Sequence, residues 1–238
     1  LKTYIIDADN IDGDLFFYNL TRNSNDFSML PIFELDRIAQ KIRNILKKHG
    51  SRKDIILNHR ELQEAFFSPF KPQLKNAQVF LSHSHADINK ALEVKDYLEE
   101  YLDAECVFID SLSWDYKDDV LNKLAEYDDI SGIEDVFTLI LRESLECMIK
   151  KCPYFVFLQS KNSVSLNQDL LKITYSAWIY EELKIANTLI ADTTIKESHI
   201  KAMRISYDIT NLLGRFKPIS LDSLCKKIAF NLITKDAK

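Results

Sequence analysis

The sequence predicts an α/β fold in which a parallel sheet is covered by helices on both faces. Three observations predict it. Beyond residue 76, short apolar runs alternate with longer stretches of helical periodicity. Those runs are apolar throughout, as strands buried on both faces are. The composition of the 238 residues, 46% hydrophobic and 28% charged, is that of a globular chain with a sizeable core.

Taken in order, the first 76 residues read as a mixed, partly helical N-terminal extension. They open on the β-rich run TYIIDADN and the apolar LFFYNL. Asp7, Asp9, Asp12 and Asp14 lie around Gly13, a pattern that suggests a calcium loop. Aligned on that glycine, the first ligand position falls on Ala8 and the last on Asn19. Neither suits calcium, so an Asx-rich turn is expected. An amphipathic helix is predicted over 34–49, with Leu35, Ile38, Ala39, Ile42, Ile45 and Leu46 on one face. Lys47, Lys48 and His49 suit its negative end, and Gly50 stops it. A second helix is expected from Asn58, with Glu61 as its capping-box partner, to Phe66 and Phe67. Pro69 and Pro72 then break the chain, and SPFKPQLKNAQ connects to a main domain over 77–238.

That domain opens with a strand over 78–82. A helix over 87–102 follows, with Ile88, Ala91, Leu92, Lys95, Leu98 and Leu102 inward. A second strand over 106–109 leads into the loop DSLSWDYKDD, then a helical stretch ending near Lys151 and interrupted over 128–132. The third strand is Tyr154–Gln159. A polar segment over 160–169 and a helix over 175–190 come next. Further on, 203–209 reads as a strand, and Ser220 or Asp222 caps a last helix carrying Leu224, Ile228, Ala229 and Leu232. No strand is expected over 190–201. Ligands of such sheets bind beyond the carboxyl ends of the strands. Three loops therefore converge on the expected site: SHSHAD after the first strand, DSLSWDYKDD after the second, and the segment entering the 175–190 helix after the third.

The helix over 175–190, YSAWIYEELKIANTLI, contains a conflict. At about 100° per residue, Ile179, Leu183, Ala186 and Ile190 form one apolar stripe, and Trp178, Ile185 and Leu189 a second. Glu182 falls between them, inside the apolar arc. Glu181 falls on the far side beside Lys184, where solvent is expected. A charge inside the arc is costly unless it is paired or faces an open cleft, and burial raises a carboxyl's pKa. Such a carboxylate is a functional-site candidate, with pairing to a neighbouring Lys or Arg as the ordinary alternative.

Other groupings carry less. His83, His85 and Asp87 in SHSHAD lack a Cys or His partner at zinc-site spacing, so no metal site is assigned. Ser84 and Asp87 suit a capping box at a helix start, where free amides attract phosphate; a purely structural cap is the alternative. The chain has no GxSxG elbow, which sets a serine hydrolase aside. Asp110, Trp114 and Trp178 form a further set, because an exposed Trp stacks on planar bases, although core packing is its commoner use.

The net charge of −5 gives no general attraction to nucleic acid or to an anionic membrane. Only four glycines are present, with no GxGxxG and no Walker motif. Four cysteines without CxxC spacing read as reduced thiols, which points to the cytoplasm. No apolar run approaches about 18 residues, so no transmembrane helix is expected, and the start at Leu1 shows no signal-peptide pattern.

The runs VFLSHSHADINKAL, VFID with SLSW, YFVFLQ and SAWIYEEL, in this order, resemble the TIR (Toll/interleukin-1 receptor) domain family over about residues 77–190. The first strand and loop resemble the family's FISHS-x-x-D opening, and Asp110 matches the acid that starts the loop after the second strand. Ser176, Trp178 and Glu182 resemble its S-x-W-x-x-x-E signature. The loop after the second strand lacks the family's Gly or Pro, and 115–145 and 160–174 are longer than in a minimal member. The resemblance implies a flavodoxin-like parallel sheet flanked by helices and an NAD⁺ nucleosidase with Glu182 as catalytic residue. It implies substrate contacts at Ser82, His83, Ser84, Asp110, Trp114 and Trp178, with NAD⁺ as substrate and no separate cofactor. It also implies self-association through TIR–TIR contacts. The SLSW loop and the extensions look most like the stand-alone TIR proteins of bacterial antiphage systems of the Thoeris kind. Those make a cyclic or conjugated ADP-ribose signal for a partner effector. A non-catalytic TIR scaffold is the rival reading, and a nucleoside-processing transferase on a similar sheet is a third.

Overall fold

In the computed structural model the three apolar runs lie side by side in one five-stranded sheet, every pairing of which is parallel. The structure describes residues 1–11, 32–48, 59–67, 77–102, 106–109, 120–125, 134–191 and 206–236. The described strands are β1 (Lys2–Asp7), β2 (Val79–Ser82), β3 (Val107–Ile109), β4 (Tyr154–Gln159), β5 (Ser165–Leu166), β6 (Lys172–Thr174), β7 (Tyr207–Asp208) and β8 (Lys217–Pro218). The five-stranded sheet has the order β3-β2-β4-β1-β8 and is flanked by helices, an arrangement compatible with a flavodoxin-like fold.

Register places the core. Phe108, Phe80 and Phe155 stand in one row across β3, β2 and β4. Their ring centroids are 5.7 Å apart for the first pair and 5.5 Å for the second. Phe216, just before β8, meets Phe155 edge-on at 5.6 Å. All four rings are buried, and truncating one such ring to alanine costs about 3–5 kcal/mol.

The N-terminal strand departs from the expectation of an extension ahead of residue 77. β1 pairs with β4 from Lys2↔Tyr154 to Asp7↔Gln159 and with β8 at Tyr4 and Ile5, so it sits within the sheet. Parallel pairing needs no tight turn between partners, which lets a strand from the chain's start occupy a place between two later ones. The chain divides into two compact units. One comprises Leu1–Thr21, Asn76–Asp110 and Glu146–Lys238, and the other Arg22–Lys75 and Ser111–Leu145.

In the first unit, a 3₁₀ turn (His85–Asp87) opens helix Ile88–Leu102, which buries Ala91, Lys95 and Leu98 as expected and also Val94 and Glu99, whereas Ile88, Leu92 and Leu102, expected inward, are half-buried. Glu99 accepts the amides of Cys106 and Val107, each at 2.9 Å, and pairs with the buried Lys95 ammonium. This carboxylate ties the helix to the first residues of β3. The last helix, Leu221–Asp236, is capped by Ser220 rather than Asp222, since the Ser220 hydroxyl accepts the Ser223 amide at 3.3 Å. It buries Leu224, Cys225 and Ile228 and packs on Ile88–Leu102.

Where a polar segment was expected after β4, β5, β6 and β7 form a small antiparallel sheet. The β5–β6 turn is held by the Asn167 carboxamide oxygen, which accepts the amides of Asp169 and Leu171. Leu170 takes the left-handed φ of 59° within it. The strand expected over 203–209 is reduced, in its described part, to Tyr207–Asp208.

In the second unit, helices Ile32–Lys48 and His59–Phe67 pack together, burying Ile38, Ala39, Ile42 and Leu62. Arg43 donates to the carbonyl of Lys123 at 2.8 Å, and Lys123 meets Asp36 at 3.2 Å. The residues Asp12 and Asp14, the 68–76 connector, the 110–119 loop with Asp110 and Trp114, the 128–132 interruption and 192–205 lie outside the described residues. Among the described residues no helix is long and apolar enough to cross a membrane.

Candidate functional site

Helix Ala177–Ala191 starts on its cap: the Ser176 hydroxyl accepts the Ile179 amide at 3.2 Å, and the Ser176 amide donates to the Thr174 hydroxyl at the end of β6. Helical spacing then sorts its faces. Ile179, Leu183 and Ala186 are buried as the periodicity predicts. Ile190, near the far end, is exposed, and Trp178, Ile185 and Leu189 are half-buried. Asn187 donates to the carbonyls of Leu183 and Leu212 and so fixes this helix against the short helix Thr210–Leu213. Lys184, expected at solvent, is buried instead. Its ammonium meets Glu181 at 3.3 Å and lies 5.2 Å from the Tyr180 ring centroid, which in turn stacks on Tyr207. The ammonium thus sits over an aromatic face while its charge is matched by Glu181.

Glu182 is 0% exposed. The sequence left it either paired with a cation or open to a cleft. One hydrogen bond joins it to a neutral group: the Ser82 hydroxyl donates to its Oε2 at 2.5 Å. Ser82 is the last residue of β2, itself buried, opposite Phe157 of β4. Alternation along the strand puts it on the same face as Phe80. A hydroxyl donating to a carboxylate makes a short, charge-assisted bond worth about 1.5–3 kcal/mol. The helix thus brings Glu182 to the carboxyl end of a parallel strand, the edge at which such sheets take ligands.

Of the other predicted site residues, His83 follows Ser82 and is buried, Ser84 is half-buried, and Trp178 lies one helical turn before Glu182. Asp110 and Trp114 lie outside the described residues. Ser82 and Glu182 are the predicted pair that a described hydrogen bond joins. The capping box does not form. The Asp87 amide goes to the Ser84 backbone carbonyl at 2.7 Å, the Ser84 side chain caps nothing, and the Asp87 carboxylate turns elsewhere.

That carboxylate anchors a network the sequence analysis missed. Asp87 is buried and accepts from the Ser160 hydroxyl at 2.5 Å and the Asn162 carboxamide at 2.8 Å. The Ser163 hydroxyl accepts the Ser160 amide at 2.8 Å, which tightens the turn after β4. Asp9, just past β1, accepts the Lys161 amide at 2.8 Å and the Lys90 ammonium at 3.1 Å. These contacts hold the Asp9 carboxyl below its usual range, the Lys161 bond contributing most and Lys90 next. Two carboxylates therefore tie the ends of β1, β2 and β4 together. The signal in the sequence was the polar SKNS directly after an apolar strand, but its partners lie 73 and 152 residues away. At the same edge, Gln159 Oε1 is a buried acceptor without a hydrogen-bond partner among the described residues.

Near the chain's start, Asp7 accepts the Asp9 amide two residues on, the geometry of an Asx turn. Among the described residues, no group of three His, Cys, Asp or Glu side chains is placed to hold a metal ion.

No family model, curated protein or solved structure matches this chain.

What the pair can do follows from its chemistry. A buried carboxylate oriented by a hydroxyl can accept a bond from a sugar hydroxyl. It can also stabilise positive charge developing at a neighbouring carbon. Because Glu182 is fully covered, a ligand reaches it only when that cover moves.

Proposed function

We propose that this chain is a TIR-like NAD⁺ nucleosidase of the cytoplasm that breaks the nicotinamide–ribose bond with Glu182 as its catalytic residue. One observation carries the reading. Helix Ala177–Ala191 delivers a buried carboxylate to the carboxyl end of β2, where Ser82 holds it. The S-x-W-x-x-x-E run at Ser176, Trp178 and Glu182 supports it, as does the sheet order.

In NAD⁺ the nicotinamide carries a positive charge. When its bond to the ribose breaks, the electron pair moves to the ring nitrogen and nicotinamide leaves neutral. The ribose carbon becomes oxocarbenium-like, and a carboxylate beside it lowers the barrier, as in glycosidases. Glu182 takes that place, holding a ribose hydroxyl and facing the developing charge. Trp178, one turn earlier on the helix, supplies an apolar wall for nicotinamide. The amides of the His83 and Ser84 loop supply contacts to phosphate or ribose. Attack by water gives ADP-ribose. Attack by a group of the same molecule gives a cyclic product, and attack by another nucleophile gives a conjugate. We assign a cyclic or conjugated product that signals to an effector in antiphage defence.

A non-catalytic scaffold working by self-association is the second reading, and one observation favours it. Leu166 (63% exposed), Leu170 (77%), Leu171 and Tyr175 present apolar surface on and beside the β5–β6 hairpin. Incubating the protein at high concentration with NAD⁺, beside Glu182→Gln, separates the two readings: the nucleosidase consumes NAD⁺ and the scaffold does not.

A further inference from the structure

We infer that Ser82 is a positioning residue that acts through Glu182 and makes no direct contact with substrate. The inference rests on the reading of Glu182 as the catalytic carboxylate and reassigns the role of its neighbour. Three observations lead to it. Ser82 is buried beside Glu182 at the end of β2, so a ligand admitted to Glu182 meets a serine already hydrogen-bonded to it. A serine hydroxyl has one proton to donate, and Ser82 gives it to Glu182 Oε2 at 2.5 Å. The serine is also the rigid partner. It ends a strand held between β3 and β4, opposite Phe157, whereas a glutamate side chain turns about three bonds.

The strand therefore serves as a fixed reference for the carboxylate. A hydroxyl mounted on the sheet favours one Glu182 rotamer and so sets the direction in which the carboxylate meets the sugar. Misplacing a reacting group by about 1 Å costs on the order of 100-fold in rate. Losing the hydroxyl should therefore lower turnover without weakening the ground-state complex.

The test is a comparison of steady-state NAD⁺ cleavage by the full chain and by Ser82→Ala, Ser82→Thr, Glu182→Gln and the Ser82→Ala/Glu182→Gln double variant. Ser82→Ala should lose about 10- to 100-fold in kcat, with KM within about twofold. Ser82→Thr keeps the hydroxyl and suits a strand, and should recover most of the rate. Adding Ser82→Ala to Glu182→Gln should cost nothing further, since the residue acts only through the glutamate. Ser82→Cys keeps the volume with a weaker donor and gives the same comparison where the alanine variant does not fold. A raised KM with unchanged kcat would place Ser82 on the substrate and overturn the inference. An equal loss in the Glu182→Gln background would overturn it too, because the two residues would then act independently. No turnover by the wild-type chain would sink the nucleosidase reading and the positioning role together. That result is visible before any variant is compared, so the two failures are distinguishable.

Discussion

Replacing Glu99 with alanine tests how the edge strand of the sheet is held. Glu99 is 9% exposed, and its Oε1 takes two backbone amides at 2.9 Å, those of Cys106 and Val107. Its Oε2 pairs with Lys95, which is 3% exposed. Alanine removes both acceptor bonds at the start of β3 and leaves the Lys95 ammonium buried without the carboxylate it pairs with. Breaking a buried pair from one side costs about 3–5 kcal/mol. Lys95→Met is the milder cut, because Glu99 keeps its two amide donors; about 1–3 kcal/mol is expected. In urea, with a slope of about 2 kcal/mol per molar, Glu99→Ala should lower the unfolding midpoint by about 1.5–2.5 M. Lys95→Met should lower it by about half that. Circular dichroism at a series of urea concentrations measures both. Equal losses in the two variants, or a loss under about 1 kcal/mol for Glu99→Ala, would show that the two amides do not depend on this carboxylate.

Further predictions concern acid and thiols. The Asp9 carboxyl is depressed in the folded chain by the Lys161 amide and by Lys90. The stability it contributes is therefore fully present above the unfolded value of about 3.9 and is lost as pH falls through the folded value. A carbon-13 titration of Asp9 should have its midpoint below about pH 3.9, moving together with the Lys161 amide; a midpoint at or above that value would mean the tie is absent. Burial pushes the thiols of Cys106 and Cys152 up to about 12 and that of Cys225 to about 11, whereas Cys147 is exposed. A disulfide reagent at pH 8 should titrate one thiol quickly and the other three only after denaturation, because the thiolate is the reacting form. Rapid reaction of more than one would contradict the packing around the buried three.

The strands that were legible in the sequence are those whose burial is written locally. LSHSHAD and YFVFLQS each pass from unbroken apolar residues to polar ones, and β2 and β4 end close to where that change occurs. β1 was legible as a strand but not in its place, since a parallel partner 152 residues away leaves no mark on local periodicity. β5, β6 and β8 are two or three residues long, too short for a period to register. At the site, helical spacing singled out Glu182 because one charged residue inside an apolar arc is a local conflict. Its partner was less legible: Ser82 lies 100 residues earlier and is one polar residue among several in its loop. Lys184 was misplaced because spacing alone does not foresee the Tyr180 ring, stacked on Tyr207, over which its ammonium lies. Asp87 was read as a cap because S-x-x-D has that pattern, whereas the 3₁₀ turn satisfies its amide through the backbone and frees its carboxylate for Ser160 and Asn162.

The most direct measurement of the central claim is the fate of NAD⁺ held with concentrated protein, followed by mass spectrometry beside Glu182→Gln. The account predicts that the wild-type chain releases nicotinamide and an ADP-ribose-derived product, and that the glutamine variant, with its shape kept, loses about 100-fold or more of the rate. NAD⁺ consumed equally fast by the glutamine variant would contradict it, because the carboxylate would then have no part in the chemistry. NAD⁺ left intact by the wild-type chain would contradict the nucleosidase reading and favour the scaffold.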